Sequence, residues 1–347
     1  MIFGSNNITP LVSIIITSYN YGRFLADAVD SAVKQTYRNT EVIIVDDGST
    51  DNSRGIIASY GDRVIPVLKD NGGQASAFNA GFAVSKGDIV IFLDSDDKLA
   101  RNAVDEVVRL WHPGVSKVHY RLQWINAQGN RLDAFIPPAG YALPSGSLRS
   151  RILTQGVYRT PPTTGNAFSR HFLEAVWPIP EEEWHLCPDA YLHAKCPFYG
   201  EIAAIDMPLG YYRVHGLNAS ATIRNKSETD RLAEEIMFRL KCETLIRETA
   251  EQMNLRASFD PTIAIARKVA LLAVCPDHYI VKEENLRRLA FRGLRAIWRE
   301  AEISILKQAI VSAYFILLPF MPSSLVKRLT FWYVYPEKRP PFVRRLF

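Results

Sequence analysis

Three apolar, β-branched runs, each ending in hydroxyls or acids, constrain this chain more than any other feature. They read "LVSIIIT" (11–17), "EVIIVD" (41–46) and "IVIFLD" (89–94). None alternates polar with apolar residues, so each reads as a strand buried on both faces, as in a parallel sheet. Helical patterns lie between them. "FLADAVDSAVKQ" (24–35) puts Phe24, Ala28 and Ala32 on one face. "DGSTDNS" (47–53) is rich in helix-capping residues and leads into a helix to about Tyr60. "RVIPVLK" (63–69) is a weaker strand, which Pro66 places at an edge or in an irregular position. "NGGQASAFNAGFAVSKGD" (71–88) is a glycine loop, then a helix from about Gln74. "ARNAVDEVVRLW" (100–111) is a helix stopped by Pro113 and Gly114. Repetition of this kind predicts an α/β fold with right-handed crossovers.

The pattern changes after residue 115. "VSKVHYRLQWI" and "NRLDAFI" flank "NAQG" and predict a hairpin. Residues 137–146 read as loop, and "IAAID" and "GYYRVH" (202–215) as two short strands. From about 226 the chain is expected to be helical. The 48% hydrophobic and 22% charged content excludes a disordered chain. A net charge of +5 falls short of a nucleic-acid-binding composition. "MIFGSNNITP" has neither a basic stretch nor a long apolar core, so no signal peptide and a cytoplasmic location are expected. Cys187, Cys196, Cys242 and Cys275 lack C-x-x-C spacing and read as reduced thiols.

In open α/β sheets, ligands bind outside the carboxyl ends of the strands. Here those ends carry "TSYNYG", "DDGSTD" and "DSDD". Thr17, Tyr19, Asp46, Asp47, Asp94 and Asp96 are therefore expected to converge, with the Gly72-Gly73 loop facing the same edge. So acidic a crevice repels a bare phosphate. A divalent cation reverses that, and hard carboxylate oxygens suit Mg²⁺ or Mn²⁺. Asp94, Asp96 and Asp97 are expected to hold a metal that carries a diphosphate. The pair Asp46-Asp47 cannot be divided by pattern alone.

The stretch from "VSIIITSYNYG" through "VDDGSTDNS", with "DNGGQASAFNAGFAVSKGDIVIFLDSDD", resembles a family 2 inverting glycosyltransferase. The match is close over about 10–112. It continues more loosely to about 220 through "TGNAFSR", "CPDAYLHA" and "YYRVHG". The resemblance implies a GT-A fold: a Rossmann-like, mostly parallel sheet flanked by helices. It implies a catalytic domain over 1–225, with a nucleotide-sugar half at 10–112 and an acceptor half at 113–225. A helical C-terminal region, 226–347, would follow. Thr17, Tyr19 and Asp47 match positions that hold the nucleotide base, and Gly73 and Asn79 a segment lining its pocket. Asp94 matches the ribose or diphosphate end of the D-x-D motif, and Asp96 its metal ligand. His215 resembles a position near the metal or diphosphate.

The implied reaction moves a sugar from a UDP- or dTDP-sugar to a saccharide or lipid-linked acceptor, in cell-surface polysaccharide or glycan assembly. Such an inverting transfer needs a general base for the acceptor hydroxyl. Asp189 matches the family's acid at the opening of a helix, and an N-cap there is the plainer reading. Pro188 stands where many relatives have a further acid. Glu181, Glu182 and Glu183 are alternatives on a Pro-flanked loop. "TPPTTGNAFS" (160–169) resembles the loop beneath donor sugar and acceptor. Trp184 and Tyr191 are candidates to stack on a sugar ring.

Other classes fit less well. A haloacid-dehalogenase-like phosphotransferase places its D-x-D near the N-terminus. A dinucleotide enzyme needs G-x-G-x-x-G after the first strand. A non-catalytic sugar-binding or scaffold protein does not need the intact acids. Residues 309–326, "AIVSAYFILLPFMPSSLV", are uncharged and flanked by Lys307, Lys327, Arg328, Lys338, Arg339, Arg344 and Arg345. With Trp332, Tyr333 and Tyr335 they suggest contact over 309–345 with the inner face of a membrane. A buried helix is the other reading.

Overall fold

A computed structural model describes residues 9–216, 218, 228–259, 261–274, 286–300, 305–334 and 340. The chain forms two compact units: residues 1–152 with 157–215, and residues 153–156 with 216–347.

The first unit is built on one nine-stranded sheet. Its strands are β1 (Val12–Ser18), β2 (Thr40–Asp47), β3 (Ile65–Lys69), β4 (Ile89–Asp94), β5 (Lys98–Leu99), β6 (Val115–Ile125), β7 (Arg131–Ile136), β8 (Asn166–Ser169) and β9 (Glu201–Arg213). The order is β3-β2-β1-β4-β8-β6-β9-β5, with β7 on β6. The first four strands are parallel. Beyond them β8 runs antiparallel to β4 and β6, while β6 and β9 are parallel. The half carrying the strong runs is thus wholly parallel, and the other half is mixed. Pro66 lies on β3, at the sheet edge, where a missing N–H costs least.

Helices α1 (Gly22–Val33), α2 (Ser53–Ser59), α3 (Gln74–Val84), α4 (Ala103–Arg109), α5 (Arg149–Gln155), α6 (Arg170–Val176) and α7 (Pro188–Lys195) connect the strands. Every residue of β1 is buried. Ile14 and Ile16 share a core with Leu25, Ala28 and Ala32 of α1, and with Ile91 and Leu93 of β4. Each fully buried Ile or Leu contributes about 1.5–3 kcal/mol. Helix α3 comes close to the sheet because residue 81 is glycine: a Cβ there would stand 2.4 Å from Ile15 Cγ2.

The two short strands expected over 202–215 are one 13-residue strand, β9. Pro208 pairs with Arg121 where the β6–β9 register slips, so the irregularity absorbs the residue that looked like a break. Strands β5 and β8 are too short to carry a periodic signal.

The second unit contains α8 (Glu228–Gln252), α9 (Pro261–Val274), α10 (Leu286–Glu300), α11 (Ile305–Leu317) and α12 (Ser323–Val334). Ile265, Val269, Leu289, Ile297, Val311, Phe315, Leu318 and Val326 form its core. The uncharged stretch 309–326 is therefore divided. Four of its residues are in that core, while Ile316, Leu317 and Phe320 are exposed. Among the described residues no helix is long and apolar enough to cross a membrane. Cys275, Tyr335, Lys338, Arg339, Arg344 and Arg345 lie outside the described residues or their described side chains.

Candidate active site

Strand register sets the site. Thr17 lies level with Asp94, and Ser18 with Asp46. Side chains alternate along a strand, so Asp46 and Asp47 point to opposite faces. Asp46 is fully buried and accepts from Ser49 N at 3.1 Å and Arg54 Nε at 2.8 Å. It closes the turn into α2. Asp47 Oδ1 accepts from Lys69 Nζ at 2.6 Å and Gly72 N at 3.0 Å, and its Oδ2 from Gly73 N at 2.8 Å. The pair that pattern could not divide is divided by the pleat: Asp47 alone organises the glycine loop. Tyr19 is exposed just beyond β1, and Thr17 is buried beneath it.

Gly73 has φ +86°, and a Cβ there would meet the His185 ring at 2.1 Å. Its ψ of 174° completes a conformation that is essentially glycine-only. Gly73→Ala is expected to displace His185 and to cost about 1–3 kcal/mol of stability, because a side chain is strained in this backbone conformation. Scanning calorimetry of the variant beside wild type checks this. Asn79 bonds the 179–181 segment. Its Nδ2 donates to the Ile179 carbonyl at 2.9 Å and Glu181 Oε1 at 3.0 Å, and its Oδ1 accepts from Ile179 N at 3.0 Å. It brackets the segment that leads to His185.

The turn after β4 separates its three acids by role. Asp94 Oδ1 accepts from Gln74 Nε2 at 3.0 Å, and the Thr163 hydroxyl also bonds this carboxyl. Asp97 is buried. Its Oδ2 accepts from Thr164 Oγ1 at 2.7 Å and its Oδ1 from Arg213 N at 2.8 Å. β9 and the 163–165 turn thus each bond one of its oxygens, which ties Asp97 into the fold beside Asp96. Asp96 Oδ2 lies 3.0 Å from His215 Nε2. Burial, then the neighbouring Asp96 charge, holds both Asp94 and Asp97 well above the ordinary carboxyl range.

Three residues missed by pattern complete this corner. Arg213 is 1% exposed. It donates to the Asp96 carbonyl at 2.7 Å, the Ala127 carbonyl at 3.1 Å and Asp27 Oδ2 at 2.7 Å, and its guanidinium lies 4.7 Å from the Phe24 ring centre. A charge inside the apolar run "GYYRVH" was the available signal. Arg23 Nη2 lies 3.1 Å from His215 Nδ1. Tyr21 packs edge-on to His215, and burial followed by the Asp96 charge pushes its hydroxyl up to about 12.

A carboxylate oxygen and an imidazole nitrogen 3.0 Å apart, beside a carboxyl whose pKa burial and the Asp96 charge raise, form a donor set that suits a divalent cation. Among the described residues no group of three or more His, Cys, Asp or Glu could hold an ion unaided. Two protein ligands with the rest from diphosphate and water is the habit of Mg²⁺.

Asp189 faces the same mouth from α7. The N-cap is Cys187 and Pro188 opens the helix, so Asp189 lies inside the first turn and the capping reading does not hold. Its Oδ1 accepts from Ala190 N at 2.9 Å. Burial raises its pKa, opposed by that N–H, by Lys117 and by the Thr163 backbone. Its charge in turn raises Asp94, so Thr163 joins the two carboxyls. Trp184 and Tyr191 are buried against one another, 5.8 Å between ring centres. Neither presents a face to a sugar.

Behind this wall His119 donates from Nε2 to the Pro144 carbonyl at 2.9 Å, and burial drives its pKa down to about 2. Unfolded, it protonates near 6.5. Below that pH the unfolded chain binds the extra proton, so stability is lost as pH falls. Thermal melts of His119→Gln, which keeps a donor but does not titrate, are expected to fall less between pH 6.5 and pH 5 than wild-type melts.

The glycosyl transferase family 2 model matches residues 13–141. An uncharacterized glycosyltransferase of Nostoc sp. is 37% identical over 229 residues, 63% of this chain and 70% of the relative. Glycosyltransferase GlyG of Streptococcus pneumoniae is 40% identical over 102 residues, 28% of this chain and 34% of that relative. A crystal structure of S. aureus TarS in complex with UDP-GlcNAc superposes with a TM-score of 0.51 at 15% identity, covering 94% of this chain and 91% of that one. At that identity the likeness concerns the fold, which is the GT-A type. The acids at the strand ends, the family match over them and the longer likeness to the Nostoc protein agree: the chain is a glycosyltransferase and belongs to family 2.

Proposed function

We propose that this enzyme moves a sugar from a UDP- or dTDP-sugar to an acceptor hydroxyl with inversion, in the assembly of a cell-surface polysaccharide or glycan. The observation that carries this reading is the pairing at one mouth of Asp96–His215 with the separate, partly buried carboxyl of Asp189. Asp96 and His215 would hold Mg²⁺ or Mn²⁺, which supplies Lewis-acid help to the leaving diphosphate. Tyr19, Thr17 and the Gly73 loop set by Asp47 form the base side of the donor pocket, and Asp94 its ribose and diphosphate side. Asp189 takes the acceptor's proton as the new C–O bond forms and the bond to the diphosphate breaks. Its raised pKa suits that task, because a base works best with a pKa near the working pH.

The test is a panel of UDP-glucose, UDP-galactose, UDP-GlcNAc and dTDP-rhamnose with Mn²⁺, read by release of the nucleoside diphosphate. Proton NMR of the product reads the anomeric configuration. Release from one donor with an inverted anomer supports the reading, and retention contradicts it. The acceptor is taken to be a saccharide or a lipid-linked saccharide at the inner face of the membrane. Exposed Ile316, Leu317 and Phe320 support a peripheral contact there. Flotation with anionic vesicles that survives in a Leu317→Glu, Phe320→Glu variant would argue against that contact.

A further inference from the structure

Beneath the candidate base lies a buried basic cluster to which sugar transfer gives no role. Lys117 on β6 is completely buried. A lone ammonium there is costly unless the fold uses it. Its Nζ donates to Thr160 Oγ1 at 2.8 Å, lies 3.5 Å from His193 Nδ1 and sits 4.8 Å from the Tyr158 ring centre. The carboxylate whose charge reaches it is Asp189.

An ammonium only donates, so the ring nitrogen facing it must carry the lone pair. That assigns the His193 proton to Nε2. Nε2 is buried 3.8 Å from Asp189 Oδ2, one helical turn back on α7, and the Pro161 carbonyl is the other acceptor that faces the ring. A second path leaves the same lysine. Thr160 Oγ1 donates to Asn166 Oδ1 at 3.2 Å, and Asn166 Nδ2 donates to the Pro161 and Pro162 carbonyls at 3.1 and 2.8 Å. Those contacts shape the turn whose Thr163 backbone bonds Asp189.

We infer that Lys117, acting through His193, is a positioning residue for Asp189: it fixes the ring tautomer whose Nε2–H is aimed at the carboxylate and orients that carboxylate toward the acceptor hydroxyl. This rests on Asp189 being the base. The groups facing the pair are His119 on the same strand, Tyr158 and Thr160 before β8, the Pro161 carbonyl, Cys196 after α7, and Asp189 itself. Burial brings Lys117 down to about 8 and His193 well below the ordinary imidazole value. Near pH 7 the lysine therefore carries the charge and the ring stays neutral.

Lys117→Met, His193→Leu, His193→Gln and Asp189→Asn separate the possibilities. Activity is read with the most active donor of the panel above. The pKa of Asp189 is read independently by carboxyl-carbon NMR of aspartate-labelled protein. Lys117→Met and His193→Leu are expected to lower kcat roughly 10- to 100-fold with the donor KM nearly unchanged, as for removed supporting residues. Removing the lysine also removes a charge that favours the carboxylate, so the Asp189 pKa and the acidic limb of kcat should rise by about one pH unit. His193→Gln should keep most activity, because its amide can accept from Lys117 and donate to Asp189. Folded Lys117→Met with wild-type kcat and an unmoved Asp189 titration overturns the inference. If Asp189→Asn also keeps wild-type kcat, the base assignment itself has failed. If only Asp189→Asn is inactive, that assignment stands and the lysine has no such role.

Discussion

Asp189→Asn is expected to lower the transfer rate by roughly 10²- to 10⁴-fold, the range general base catalysis supplies. Donor binding should change little. The amide keeps the shape and can still accept from Ala190 N, which bonds the carboxylate at 2.9 Å. It cannot take a proton from the acceptor. Because Asp189 sits inside the first turn of α7 and is not its N-cap, the helix loses no cap. Stability should change by less than about 1 kcal/mol, since burial already disfavours the charge that the amide removes. Single-turnover kinetics with a calorimetric measure of UDP binding checks this. Weakened binding with an unchanged chemical step would contradict the role.

Arg213→Met is expected to be the most damaging substitution outside the acids. The side chain is 1% exposed and ties Asp96, Ala127 and Asp27 together. Its backbone N–H also anchors Asp97. Methionine fills much of the volume but takes this donor from two part-buried carbonyls. Losing charge-assisted bonds of this kind costs on the order of 3 kcal/mol, after discounting the half-exposed Asp27. The turn bearing Asp96 should loosen as well, so metal-dependent UDP binding should weaken more than the melting temperature alone implies. Urea unfolding with parallel UDP titration reads both effects. A variant that unfolds earlier yet binds UDP normally would limit Arg213 to a structural part.

Much of the parallel half was legible because its signals are local. "VSIIIT" shows no polar–apolar alternation, as expected where both faces are covered, and helices α1 and α3 cover them. The missing N–H of Pro66 allowed an edge or an irregular position, and the strand order makes it the edge. The mixed half was harder. β8 has four residues and β5 two, too few for a period, and Pro208 hides within an irregular pairing. Within the site, residue types were readable but their partners were not. Asp46 and Asp47 are adjacent in sequence, and only the pleat assigns one to α2 and the other to the glycine loop. Asp97 is bonded by Thr164 and Arg213, 67 and 116 residues away, which no local pattern announces. Trp184 and Tyr191 had the chemistry to stack on a sugar, but packing turned them inward. Lys117 gave no signal at all, since its role depends on a histidine brought from 76 residues away.

The central claim is that Asp96 and His215 make the strand ends a metal–diphosphate site. Calorimetric titration of UDP into wild type and Asp96→Ala, with and without Mn²⁺, tests it most directly. Binding that is tight with Mn²⁺, weak without it and absent in the variant is the expected result. UDP binding that is indifferent both to Mn²⁺ and to the loss of Asp96 would contradict it.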